Sequence, residues 1–235
     1  MTTGIWAYDK IANATRNYCS MPSTSQLSDD DLLNQINRYF RWELPSDLRP
    51  MQLKTWYQVT LADEDEEYDL KETFYNTYSV LGSLAYISDT SAYKETQIDV
   101  YFEPVSFYDM WPDSKDYTDS DEVGEPSGVL VYGNKLLFRK CPDDTYYVNF
   151  EVWRRPVVYV SGGTETKVYF KNNKDQPEVP EWGNMIALGT ARQILTELGD
   201  DESIQRIEFM YKREITRITS QTLLWQSPRR PAPKF

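Results

Sequence analysis

The hydrophobic period changes twice along this chain, and that restricts it to a fold with separate helical and strand regions. In "STSQLSDDDLLNQINRYFRWEL" the apolar residues Leu32, Leu33, Ile36, Tyr39 and Phe40 recur at helical spacing. Ser28 stands where a helix N-cap belongs, and Asp29 to Asp31 place negative charge where the helix dipole favours it. The prolines of "LPSDLRP" predict a break after Leu44. From about Lys54 the period becomes two: Tyr57, Val59 and Leu61 alternate with Trp56, Gln58 and Thr60, as in a half-buried strand. Near Pro180 the period lengthens again. Ala187, Leu188, Ala191, Ile194, Leu195 and Leu198 form an apolar stripe closed by Gly199. Ile204, Ile207, Tyr211, Ile215, Ile218 and Trp225 form a second stripe, on a helix opened by Asp200, Asp201 and Glu202.

Between these ends the strand signals are dense. "YNTYSVLGSLAYIS" reads as a strand with Gly82 at a bulge or close approach, and "VSFYDMW" as a short helix or turn. "DSKDYTDSDEVGEPSG" reads as a long acidic loop. Gly133-Asn134 suits a tight turn between "VLVY" and "LLF", and "TYYVNFEVW" continues them as a three-stranded meander. "VVYVSGGTETKVYF" adds a hairpin about Gly162-Gly163. The expected class is therefore α+β. A helical bundle from N-terminal helices and a C-terminal helical hairpin (residues 1–50 and 178–226) carries an antiparallel β-rich insertion (51–177), and an extended basic tail follows (227–235). Gly183, Ala187 and Ala191 repeat every four residues, so a partner helix could approach closely along that line, with Ile204, Ile207, Tyr211 and Ile218 packing from the other helix.

Composition narrows the chemistry. With 40% hydrophobic and 26% charged residues the chain folds rather than remaining disordered. There is no histidine and there are two cysteines, Cys19 and Cys141, which read as buried thiols rather than a disulfide. A tetrahedral zinc site is thereby disfavoured, as is catalysis that needs an imidazole base. No glycine loop for phosphate and no Gly-x-Ser-x-Gly elbow occurs, so neither an enzyme nor a cofactor is expected. No apolar run reaches the roughly 20 residues of a membrane span, and "MTTGIWAYDK" lacks the pattern of a signal peptide, which predicts synthesis in a cytoplasm. The net charge of −12 opposes wrapping of DNA but not its passage. Residues 206–235 nonetheless carry seven Lys or Arg against two Glu, so the C-terminal region is expected to meet something acidic.

One further class suits the aromatic content of 18 Tyr, 7 Trp and 9 Phe. Trp56, Tyr147 and Trp153 stand on the less apolar strand faces and could form a carbohydrate- or receptor-binding surface.

The order of a capped helix, "LP" break, strand-rich insert and two terminal helices resembles the head-to-tail adaptor, or connector, proteins of tailed bacteriophages, especially short-tailed ones. The segments that carry the resemblance are "DDLLNQINRYFRWEL", "VLVYGNKLLFRKCPDDTYYVNFEVWRRP" and "VPEWGNMIALGTARQILTELGDDESIQRIEFMYKREITRI". It implies a virion structural protein at the portal vertex, made in the host bacterial cytoplasm. It would form a ring, commonly of twelve copies, beneath the portal protein. Its helices would line or brace a channel through which genomic DNA passes without specific binding, and its β insert would face the tail nozzle or tail fibre proteins. The resemblance also implies that Arg229, Arg230, Lys234 and Phe235 dock on the portal.

Overall fold

The computed structural model describes residues 6–48, 53–62, 65, 67–70, 74, 78–89, 96–110, 123–160 and 165–226. The protein is α+β. Its chain divides into two units: residues 1–53 with 155–235, and residues 54–154.

The first unit contains α1 (Tyr8–Tyr18), α2 (Asp29–Arg38), a π-helical turn (Tyr39–Glu43), α3 (Leu44–Leu48), and the short strands whose ranges follow below. Ser28 caps α2 by accepting the Asp31 amide at 3.1 Å. The break expected at "LPSDLRP" does not occur at Leu44, because the π-turn absorbs the missing Pro45 amide. The Leu44 amide reaches back to the Tyr39 carbonyl, and the chain re-enters α-helix with Pro45 in its first turn, where proline is tolerated.

Residues 155–177 group with this helical unit and not with the β-rich insertion in which the sequence reading counted them. The reason is specific bonding. Asn37 donates to the Phe170 carbonyl at 3.1 Å and accepts its amide at 2.8 Å. Arg41 donates to the Pro156 carbonyl at 2.9 Å, and Phe170 packs against Phe40 with ring centres 5.0 Å apart. The segment supplies its own small sheet, in which β8 (Val158–Tyr159) pairs antiparallel with β9 (Thr166–Lys167) and with β10 (Gln176–Pro177). The turn expected at Gly162-Gly163 lies outside the described residues.

A 3-10 turn (Pro180–Trp182) then leads into α5 (Gly183–Leu198), followed by α6 (Asp201–Gln226). Gly199 closes α5 in the left-handed conformation, with φ +71°, which glycine adopts at no steric cost. At 26 residues α6 is about 39 Å long. Ten of the sixteen residues of α5 are buried, and it touches α1, α2, the π-turn and α6, so it is the central element of the unit. Leu198 is the exception to the expected stripe, since the helix end leaves it exposed.

The second unit is a seven-stranded sheet in the order β1 (Lys54–Leu61), β7 (Tyr146–Arg154), β3 (Tyr78–Ser88), β4 (Thr96–Tyr101), β5 (Gly128–Tyr132), β6 (Lys135–Arg139), β2 (Glu67–Asp69). The β5–β6 hairpin turns at Gly133, with φ +60°. The expected meander stops there. β7 leaves β6 and inserts between β1 and β3, where both of its edges are paired. The insertion is also not purely antiparallel: β4 and β5 run parallel, which requires a crossover, and the connecting chain contains α4 (Pro104–Met110). The register between β3 and β7 shifts between Leu81 and Ala85, around Gly82. Ala85, Ile87, Ile98, Val129, Phe138, Val148, Phe150 and Val152 form the core of this unit.

Candidate functional site

The helix-packing residues singled out by spacing lie in the first unit, around α5. Ala187 and Ala191 are fully buried, and α1 packs on α5. Gly183 is covered by an aromatic ring: a Cβ there would stand 2.2 Å from Cγ of Trp6. On α6, Ile207, Tyr211 and Ile218 are buried, while Ile204 is half-buried. Two polar contacts join α6 to the α5 region. Arg192 pairs with Glu208 at 2.9 Å, and Arg217 donates to the Glu181 carbonyl at 3.2 Å.

The tightest approach falls on a residue that the four-residue spacing does not include. A Cβ on Gly189 would lie 2.0 Å from Cζ of Tyr39, so the phenol ring rests directly on the α5 backbone. The Tyr39 hydroxyl meets the Tyr211 hydroxyl at 3.1 Å and donates to Asp47 Oδ2 at 3.2 Å. Tyr211 also donates to Asp47. One carboxylate thus gathers two buried phenols from the π-turn and α6, and Arg192 sits over the Tyr211 ring at 5.1 Å. The available signal was Gly189 itself, because glycine inside a helix costs roughly 0.5–1 kcal/mol relative to alanine.

Burial, and then the neighbouring Tyr211 and Asp47, hold the Tyr39 phenol well above its ordinary value of 10.0. Burial and the bond to Asp47 raise Tyr211 likewise, and burial with the charge of Asp29 pushes Tyr8 up to about 12. A phenol whose folded pKa is raised contributes fully below its unfolded value, and that contribution is lost as the pH climbs towards the folded one. The helical unit should therefore lose stability as the pH rises above 10 towards about 12. In an alkaline titration, the last tyrosines to ionise should do so together with the loss of helical circular dichroism. Complete tyrosinate formation with the helices intact would contradict this.

No protein-family model matches the chain, and no curated protein matches it. The site is accordingly read from its own chemistry. Among the described residues no group of three or more Cys, Asp or Glu converges to hold a metal ion, and no helix is long and apolar enough to cross a membrane. Cys19 is buried and pushed up to about 11 by desolvation, which leaves it an unreactive thiol near neutrality; it forms no disulfide with Cys141, which is half-buried rather than buried as expected. A cleft of about 380 Å³ beside α1 is lined by Asp9, Arg16, Asp29, Asp30 and Lys171 among others. Its Arg16 is committed to structure: it pairs with Asp29 at 2.6 Å and donates to the carbonyls of Ser23 and Leu27.

Charge also divides between the two units. Residues 54–154 hold 21 Asp and Glu against eight Lys and Arg, a net of −13, so the remaining residues carry +1 of the total −12. In the second unit Trp56, Tyr147 and Trp153 share the sheet face opposite the core. Trp56 stands across from Glu151, Trp153 from Lys54, and Tyr147 from Thr60. Trp56 is 40% exposed and meets Tyr86 edge-on at 5.7 Å. The four residues expected to dock on a portal, Arg229, Arg230, Lys234 and Phe235, lie outside the described residues.

Proposed function

We propose that this chain is a structural head-to-tail adaptor of a tailed bacteriophage, forming a ring beneath the portal and linking the capsid vertex to the tail. The observation that supports this most is the interrupted architecture. The N-terminal and C-terminal parts of the chain build one near-neutral helical unit around α5, and a strongly acidic strand-rich unit leaves it at Leu53 and returns at Arg155. In this reading the first unit is a helical bundle whose last two helices act as a hairpin bracing the ring. The acidic unit repels DNA phosphates, so genomic DNA slides through without specific binding. The chain then performs no chemical turnover, its partners are the portal protein, further copies of itself and the tail nozzle or fibre proteins, and it resides in the virion after synthesis in the bacterial cytoplasm.

The test is a mixture of the purified protein with portal particles, followed by mass measurement and negative-stain imaging. A ring seated on the portal, about twelve copies around, is the expected result. A protein that ignores the portal at every concentration would sink the adaptor reading.

A second reading is favoured by the shared face of Trp56, Tyr147 and Trp153, which makes the β unit a carbohydrate- or receptor-binding module. Glycan-array binding that disappears in Trp56→Ala and Trp153→Ala would select it over the adaptor.

A further inference from the structure

We propose that copies of this chain join head to tail through two complementary surfaces: the outward ridge of α6 around Phe209, and the β4–α4 face around Val105. The pairing deepens the ring reading and rests on it only for closure into a ring; the contact between two copies stands on its own residues.

The ridge is basic with an apolar centre. Arg206, Phe209, Lys212 and Arg213 are spaced three and four residues apart and so lie beside one another on one side of α6. All four are exposed, Phe209 at 73%. Lys212 shares Glu208 with Arg192, at 3.4 Å and 2.9 Å respectively, and Asp200 at the start of α6 feels the charge of Arg206. On its opposite side α6 buries Ile207, Tyr211, Glu214 and Ile218, so the ridge is the face that its own unit leaves uncovered.

The second surface has the inverse pattern, an apolar centre with an acidic rim. Phe102, Val105 and Met110 are exposed at 49%, 71% and 61%. Asp99, Glu103 and Asp109 belong to the same stretch of chain and are also exposed, and no described residue from 96 to 110 is basic. α4 packs its buried side, through Phe107, against Tyr101 at 5.7 Å. The exposed apolar side chains are therefore surplus to the core of their unit.

A single exposed phenylalanine is ordinary. Two exposed apolar centres with rims of opposite sign on one chain are a matched pair, and the units that bear them carry +1 and −13. An apolar anchor enclosed by a polar rim is the usual anatomy of an interface, and rim charges select the partner and speed the encounter. Because each copy carries both surfaces, the contact is heterologous: the ridge of one copy meets the patch of the next, and the series closes as a ring when the rotation per copy allows it. The committed occupant of each surface is thus a second copy of this chain.

The experiment uses the full chain with Cys141→Ser, since Cys19 is buried. Two proteins on this background, Arg213→Cys and Glu103→Cys, each with one accessible cysteine, are mixed and oxidised. A cross-linked species containing one of each, absent from either protein alone, is expected. In parallel, Arg206→Glu with Arg213→Glu should weaken self-association at least about tenfold by sedimentation, and Glu103→Arg with Asp109→Arg should do the same. Mixing the two reversed proteins should restore a one-to-one complex. All four positions are exposed, and an unchanged melting curve verifies each fold. Absence of the cross-link both in solution and on portal particles overturns the proposal, as does wild-type association by the reversed proteins or failure of their mixture to recover. If the cross-link forms and the protein still ignores the portal, the adaptor reading falls and the head-to-tail contact stands.

Discussion

Gly189→Ala should destabilise the helical unit by about 3 kcal/mol, although the same substitution in an open helix is stabilising by roughly 0.5–1 kcal/mol. The new methyl carbon would stand 2.0 Å from Tyr39 Cζ and 2.2 Å from its Cε2, deep inside van der Waals contact. Tyr39 is 1% exposed and has no vacant direction in which to retreat. Moving it breaks the hydroxyl contacts with Tyr211 and Asp47. Overpacking and the lost bonds act in the same direction, so they outweigh the gain in helix propensity. Urea denaturation followed by helical circular dichroism measures the effect. A neutral or stabilised variant would mean that the ring does not rest on the helix backbone.

Phe150→Ala should cost the strand-rich unit about 4 kcal/mol. Phe150 is fully buried at the centre of β7, the strand with both edges paired, and it faces Tyr57 on one side and Ala85 on the other. Phe138 lies 6.5 Å away between ring centres. Removing the phenyl group leaves a cavity lined by side chains from several strands, and paired strands cannot collapse to fill it. Since each unit has its own core, hydrogen exchange should accelerate in residues 54–154 well before it does in α5 and α6. Uniform acceleration along the whole chain would show that the two units unfold as one.

These two positions mark where the sequence was legible and where it was not. The cap at Ser28, the stop at Gly199, the turn at Gly133 and the buried stripe of Ile207, Tyr211 and Ile218 were readable, because each depends on a residue's own conformation or on a local period. Gly183, Ala187 and Ala191 are buried on α5. The tightest contact is nevertheless at Gly189, which is set by a ring arriving from Tyr39, 150 residues earlier in the chain. The break expected at Pro45 failed because a π-turn relieves the missing amide, and hydrophobic periodicity does not register that device.

Strand partners were the least accessible. "TYYVNFEVW" declares a strand by alternation, and alternation is identical whether that strand follows β6 in a meander or crosses to the middle of the sheet between β1 and β3. Likewise the acidic character of the chain is a property of its composition. That it resides in one unit, leaving a basic ridge about Phe209 on the other, follows from where the chain leaves and re-enters the helical unit. Local chemistry determined which elements form and where they stop. The tertiary structure alone decided which surfaces they bury and which they leave for a partner, because burial is settled between residues far apart in the chain.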